Sequence, residues 1–214
     1  MAGWNDVIVA GGTESMTMVP MGGYIPELNL KLAAEFPEAY CPMGITAENV
    51  ASRYGITREM QDEFAYNSQM KAAAAIKAGV FEEQIVPVKA RVAAGPKWKE
   101  VEFKVDESPR ADTTLEGLAK LKPVFKQNGT VTAGNSSPMN DGAAAVVVMS
   151  KEKAKELGCK PLATFRYYVT VGTHPDEMGV GPLYAINKLM KRTGMNVDEI
   201  DNYEINEAFA SQAA

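Results

Sequence analysis

The chain has 214 residues, 46% of them hydrophobic and 23% charged, with a formal net charge of −5. Those proportions exclude low-complexity disorder and allow a buried core. The mild acidity argues against a nucleic-acid partner, which calls for a basic excess. Two distant cysteines, Cys41 and Cys159, and a single histidine, His174, exclude a CxxC-type zinc centre, and no metal site is expected. Isolated cysteines suit a reducing compartment; the expected location is the cytoplasm, with organellar targeting as the alternative because the N-terminus looks truncated. The longest apolar run, Ala143 to Met149, is strand length and far short of the ~20 residues of a membrane helix. The first six residues carry neither a basic start nor an apolar segment.

In chain order, Asp6-Val7-Ile8-Val9-Ala10-Gly11-Gly12 reads as a buried β-branched strand ending in a turn. From Thr13 to Ile45, Pro20, Gly22, Gly23, Pro26, Pro37 and Pro42 predict a long irregular loop, a feature that usually carries function. Thr46 reads as the N-cap of a helix over Ala47–Tyr54 stopped by Gly55. Thr57 opens a second helix through Ala78, closed by Gly79. Phe103 to Thr113 reads as loop, and Leu115 to Leu121 as a short helix ending before Pro123. After the small-residue stretch Thr130–Gly142, a strand is expected over Ala143–Ser150, with Ser150 capping a helix that ends at Gly158. Leu162–Gly172 reads as a strand, Gly181–Arg192 as a helix, Asp201–Ile205 as a strand, and Asn206–Ala214 as the start of a helix. This alternation predicts an α/β layered fold. A strand so near residue 1 and a helix under way at residue 214 give both ends the look of cuts.

Three segments could carry chemistry. Asn206-Glu207-Ala208-Phe209-Ala210 sits where a strand passes into a helix, a place where ligand sites of α/β sheets gather. The Asn206 amide can donate to an oxyanion, directly or through water, or it can simply cap the helix. Ala133-Gly134-Asn135-Ser136-Ser137 allows a ligand close to the backbone, or is a plain turn before the strand. Gly11-Gly12-Thr13 lacks the spacings of a phosphate loop. His174, in Gly172-Thr173-His174-Pro175-Asp176, is a turn histidine or a general base. Cys41 has no base beside it in sequence, and Cys159 reads as a loop residue. Met43, Phe125 and Phe209 read as core by default.

Six stretches in order are similar to the thiolase family, and most to its 3-ketoacyl-CoA thiolase branch. They are Gly11–Met16, Pro42–Ala51, Gly117–Phe125, Thr132–Ser137, Met178–Pro182 and Asn206–Ala210. The resemblance implies a thiolase fold: two similar α/β halves in α-β-α-β-α layers with an inserted loop subdomain, here incomplete. Residues 1–12 would end the N-terminal half, and 13–138 would be the loop subdomain covering coenzyme A. Residues 139–160 would return to the N-terminal half, and 161–214 would begin the C-terminal half.

By the same resemblance, Asn206 would hold the water that binds the thioester oxygen. Ser137 would contact the pantetheine arm, beside the small Ala133 and Gly134. Met43, Phe125 and Phe209 would line the acyl and pantetheine tunnel, and Arg110 would lie near the adenine nucleotide. The implied reaction is thiolysis of 3-ketoacyl-CoA in fatty-acid β-oxidation. Coenzyme A would be a co-substrate, no cofactor would be covalently held, and the assembly would be a homodimer or a tetramer. The family's nucleophilic cysteine motif lies before the position of Asp6. Its Gly-His-Pro histidine and second cysteine lie beyond Asn206-Glu207-Ala208-Phe209. None is in this sequence, so the chain alone is expected to be inactive. Two alternatives follow: an acetoacetyl-CoA thiolase, or an inactive remnant that binds coenzyme A or pairs with an intact subunit. Pro42, where short-chain relatives often place histidine, favours the longer-chain branch.

Overall fold

The computed structural model describes residues 4–214. Its elements in chain order are β1 (Val7–Glu14), α1 (Leu30–Glu35), α2 (Met43–Tyr54), α3 (Arg58–Lys77), β2 (Val88–Ala94), β3 (Lys97–Phe103), α4 (Leu115–Ala119), β4 (Gly142–Met149), α5 (Lys151–Glu156), α6 (Gly181–Thr193) and α7 (Ala210–Ala213). Short 3-10 turns occupy Pro37–Tyr40, Pro175–Val180 and Val197–Glu199. Two compact units form. The first joins the chain through Tyr40 to Pro138–Thr173 and Gly181–Tyr203. The second joins Cys41–Ser137 to His174–Val180 and Glu204–Ala214.

In the first unit, β1 and β4 pair antiparallel from Val7 opposite Met149 to Glu14 opposite Gly142. Valine-rich strands favour the pleat, and the pair leaves Val9, Val146 and Val147 more than half exposed. Gly11 and Gly12 lie inside β1 opposite Ala145 and Ala144, not in the turn expected of them. Beyond the strand, Asp141 accepts from the Thr17 amide at 2.9 Å and from Ser15 Oγ at 3.3 Å. The Thr17 bond is the chief reason its carboxyl is held below the ordinary value. Ser150 caps α5 by accepting from the Lys153 amide at 3.1 Å, as expected. Inside the supposed irregular stretch, Asn29 accepts from the Leu32 amide and starts α1. Neither Leu162–Gly172 nor Asp201–Ile205 is a strand. A strand exists through its ladder, and neither segment has one among the described residues.

The second unit holds a packed core. Ala47, Val50 and Ala51 of α2 are buried with Ala65 of α3, Leu118 of α4, Val131, Val180 and Ala210. Helix α2 begins at Met43, with Pro42 in the N-cap position. Thr46 is therefore not the cap. It lies one turn in, buried, and its hydroxyl donates to the Met43 carbonyl at 2.7 Å. Gly55 ends α2 in the left-handed region, φ 70°, which costs a glycine little. Thr57 caps α3 by accepting from the Met60 amide. The hairpin β2–β3 was not anticipated. It turns at Gly95, and Arg91 stacks over Trp98 at 5.6 Å. Helix α7 begins at Ala210 with Phe209 in the N-cap position. Asn206 is thus not the helix cap.

Candidate functional site

All the site residues expected from sequence fall in the second unit. Most come together through two segments stitched side by side. The Ser137 amide donates to the Ala208 carbonyl at 2.9 Å, the Ala210 amide donates to the Asn135 carbonyl at 2.9 Å, and Ser136 pairs antiparallel with Phe209. The small-residue loop and the Asn-Glu-Ala-Phe stretch are therefore one surface. Asn206 is exposed at its edge, and its carbonyl accepts from Gln212 Nε2 at 3.4 Å. Glu207 accepts from Ser68 of α3 at 2.5 Å, which ties the neighbouring residue to a long helix.

The apolar side of this surface is built by rings. Phe125 meets Phe209 edge to face, with centroids 6.0 Å apart and planes at 83°. That geometry places the positive edge of one ring on the negative face of the other. Phe125 also lies on Gly44 at the start of α2, where a Cβ would overlap its ring. Met43, the adjacent residue, is 41% exposed and Phe125 is 42% exposed. Both are therefore accessible within this chain rather than enclosed by it. On the polar side, Ala133 and Ser137 are exposed, and the Gly134 amide donates to Thr132 Oγ1 at 3.2 Å.

Arg110 is held elsewhere in the unit. Its amide donates to Gln69 of α3 at 2.8 Å, and its carbonyl accepts from Thr113. His174 stands beside Asp176, with Nδ1 2.5 Å from Oδ1. Asp176 also receives an ion pair from Arg53, and its backbone carbonyl accepts from Asn49 Nδ2. The Arg53 guanidinium, and after it His174, holds the Asp176 carboxyl down at about 2. Cys41 Sγ faces the Pro42 carbonyl at 3.8 Å, and Cys159 is exposed in the first unit. No cluster of metal-ligating side chains occurs among the described residues.

Sequence reading missed the layer beneath the surface. Glu48 is buried, yet its carboxylate accepts from the amides of Thr130 (2.9 Å) and Val131 (2.9 Å) and from Thr130 Oγ1 (3.2 Å). Gln61, fully buried, donates to Thr130 Oγ1 at 2.9 Å. Asn135 spans its own loop, accepting from the Thr132 amide at 2.8 Å and donating to Asp62 at 3.0 Å. Asp62 is paired with Arg58 one turn earlier, at 2.8 Å. The i, i+4 spacing of Arg58 and Asp62 was legible. Glu48 could have been noticed as an acid among the buried positions Ala47, Val50 and Ala51.

Comparison with known proteins places this arrangement. The family model for the thiolase N-terminal domain matches residues 1–152, and that for the thiolase C-terminal domain matches residues 159–214. The chain belongs to the thiolase family. It is 47% identical over 218 residues to a 3-ketoacyl-CoA thiolase of Bacillus subtilis, covering 100% of this chain and 56% of that protein. It is 45% identical to an acetyl-CoA acetyltransferase of Chromobacterium violaceum, covering 100% of this chain and 57% of that one. The crystal structure of the dimeric peroxisomal thiolase of Saccharomyces cerevisiae superposes with a TM-score of 0.86 at 42% identity, over 97% of this chain and 52% of that one. The fold is thus the α/β thiolase fold in part. The chain spans about half the length of the curated thiolases it matches.

Proposed function

We propose that the protein carrying this chain is a 3-ketoacyl-CoA thiolase, which cleaves 3-ketoacyl-CoA with coenzyme A to acetyl-CoA and a shortened acyl-CoA. The observation that carries this reading is the joined surface of Ser137, Phe125, Phe209 and Asn206. It offers an amide- and hydroxyl-lined side for a pantetheine arm, an aromatic wall for an acyl chain and an exposed amide at one edge. In this reading Met43, Phe125 and Phe209 line the acyl tunnel, and Ala133, Gly134 and Ser137 border the pantetheine arm. Arg110 lies toward the nucleotide end, and residues 13–138 cover the coenzyme. A neutral amide at 206, donating through water, stabilises negative charge on the thioester oxygen where a carboxylate would repel it. The covalent step belongs to a cysteine thiolate, which attacks the 3-keto carbon and releases acetyl-CoA. The name of the Bacillus relative supports this substrate class. The protein acts as a homo-oligomer in a reducing compartment such as the cytoplasm, in keeping with the dimeric yeast structure and two distant cysteines.

The test is thiolysis, across a series of 3-ketoacyl-CoA lengths, by the full-length protein that carries this chain together with the nucleophilic cysteine and the Gly-His-Pro segment. Acetyl-CoA release from medium and long chains is expected. Release from acetoacetyl-CoA alone would move the assignment to the short-chain class that the Chromobacterium relative's name indicates. No release at any length overturns it. Asn206→Asp should lower kcat by roughly 10²–10³ while leaving KM closer to its original value.

A further inference from the structure

Helix α2 lies under both sides of the proposed acyl-CoA surface and makes a different contact with each. At Gly44 its bare backbone seats the Phe125 ring. One turn on, the buried Glu48 carboxylate holds the amides of Thr130 and Val131, where the small-residue loop begins. Residues four apart project from the same helix face, so Gly44 and Glu48 form a two-point seat. The two seated segments are also joined to each other, the Val124 amide donating to the Val131 carbonyl at 3.1 Å. Gly129 completes the fit: a Cβ there would overlap the Glu48 carboxylate.

A carboxylate suits this seat for a specific reason. Both oxygens accept: Oε1 from two amides, Oε2 from the Thr130 amide and hydroxyl. A glutamine would turn a donating NH₂ toward the donors now bound by one of those oxygens. An alanine would leave the buried Val131 amide and the half-buried Thr130 amide without their carboxylate acceptor. Charge-assisted bonds to backbone amides are also among the stronger ones a protein makes.

We infer that Glu48, with Gly44, is a positioning residue that sets the register of the pantetheine-contacting loop against the aromatic wall. This rests on the coenzyme A reading of the surface. Glu48 itself lies beneath the ligand and touches none of it. Its effect should therefore be confined to the pantetheine and acyl part of the substrate, with the nucleotide end near Arg110 unaffected.

The experiment compares wild type with Glu48→Gln and Glu48→Ala in the full-length protein that carries this chain, by two measurements. Calorimetric titration uses coenzyme A and, separately, adenosine 3′,5′-bisphosphate, which has no pantetheine arm. Hydrogen exchange follows the amides of Thr130 and Val131. The expected result is about tenfold weaker coenzyme A binding, with the bisphosphate affinity changed less than about twofold. Amide exchange at residues 130 and 131 should accelerate while α3 stays protected. Equal losses for both ligands, or unchanged exchange at Thr130 and Val131, overturn the inference. If Glu48→Ala fails to fold, Glu48→Gln decides by the same criteria. Wild type that binds neither ligand overturns the coenzyme A reading itself, and the exchange data then judge the anchor alone. A fast 130–131 segment in the variants keeps the anchor, and a slow one removes it.

Discussion

The two units use their residues differently. The first contains a valine-rich strand pair exposed on both faces, and Ala154 is its buried apolar residue among those described. The second buries Ala47, Val50, Leu118, Val131 and Ala210 together with Glu48, Gln61, Asp62, Thr132 and Asn135. Its polar groups are nearly all partnered, so a core of short side chains is made specific by hydrogen bonds. Within this chain, which spans about half the length of the thiolases it matches, the valines of β4 are exposed, while an acid and an amide lie at the centre of the other unit.

The sharpest way to break that contrast is to make comparable truncations in each unit. Leu118→Ala, at a side chain 6% exposed, should cost about 2–5 kcal/mol. Val147→Ala, at 60% exposed, should cost less than about 0.5 kcal/mol. Chemical denaturation of both variants gives the two values, and equal costs would erase the distinction. Next is Gly44→Ala. Alanine in an open helical position gains about 0.5–1 kcal/mol over glycine. The overlap with Phe125 should reverse the sign, to a loss of about 1 kcal/mol. Adding Phe125→Ala should restore the gain, and the thermal midpoints of the single and double variants show it.

A third difference appears only in acid. The Asp176 carboxyl titrates at about 2 in the folded chain, below its ordinary value of 3.8. Its pairing with Arg53 and His174 therefore stabilises the second unit fully above pH 3.8 and is lost as the pH falls through about 2. Asp176→Asn should flatten that part of the acid-unfolding curve, with a full, constant deficit above pH 3.8 that disappears as the pH falls through about 2. The smallest effect is expected at Ser211, whose buried hydroxyl has no hydrogen-bond partner among the described residues. Ser211→Ala should be neutral or stabilising by up to about 1 kcal/mol, in the same thermal assay.

How much of this could be read in advance depended on whether the cause was local. Thr57, Gly55, Ser150 and Gly158 act on their own neighbours, and the helix boundaries they mark were legible. The Leu162–Gly172 and Asp201–Ile205 segments have strand-like patterns, but a ladder depends on a partner that no local pattern specifies. The hairpin was available in the alternation of Val88, Lys89, Ala90, Arg91 and Val92 and went unread. At the site, Asn206, Ser137, Phe125 and Phe209 stood out because ordered motifs resemble a family. Their assembly depends on bonds between residues more than seventy positions apart, such as the one between Ser137 and Ala208. The Glu48 anchor reaches across 82 positions to Thr130, a partner that no neighbour of Glu48 in the chain specifies.

The close fit of Gly129 against Glu48 also constrains the order of evolutionary change. A side chain at position 129 would displace the Glu48 carboxylate that fills the space above it, and shortening residue 48 to make room would release the amides it holds. The two sites are locked in a historical sense: each single step is harmful, and only a paired replacement leads elsewhere. Among descendants of this sequence, Gly129 and Glu48 should be lost together or kept together.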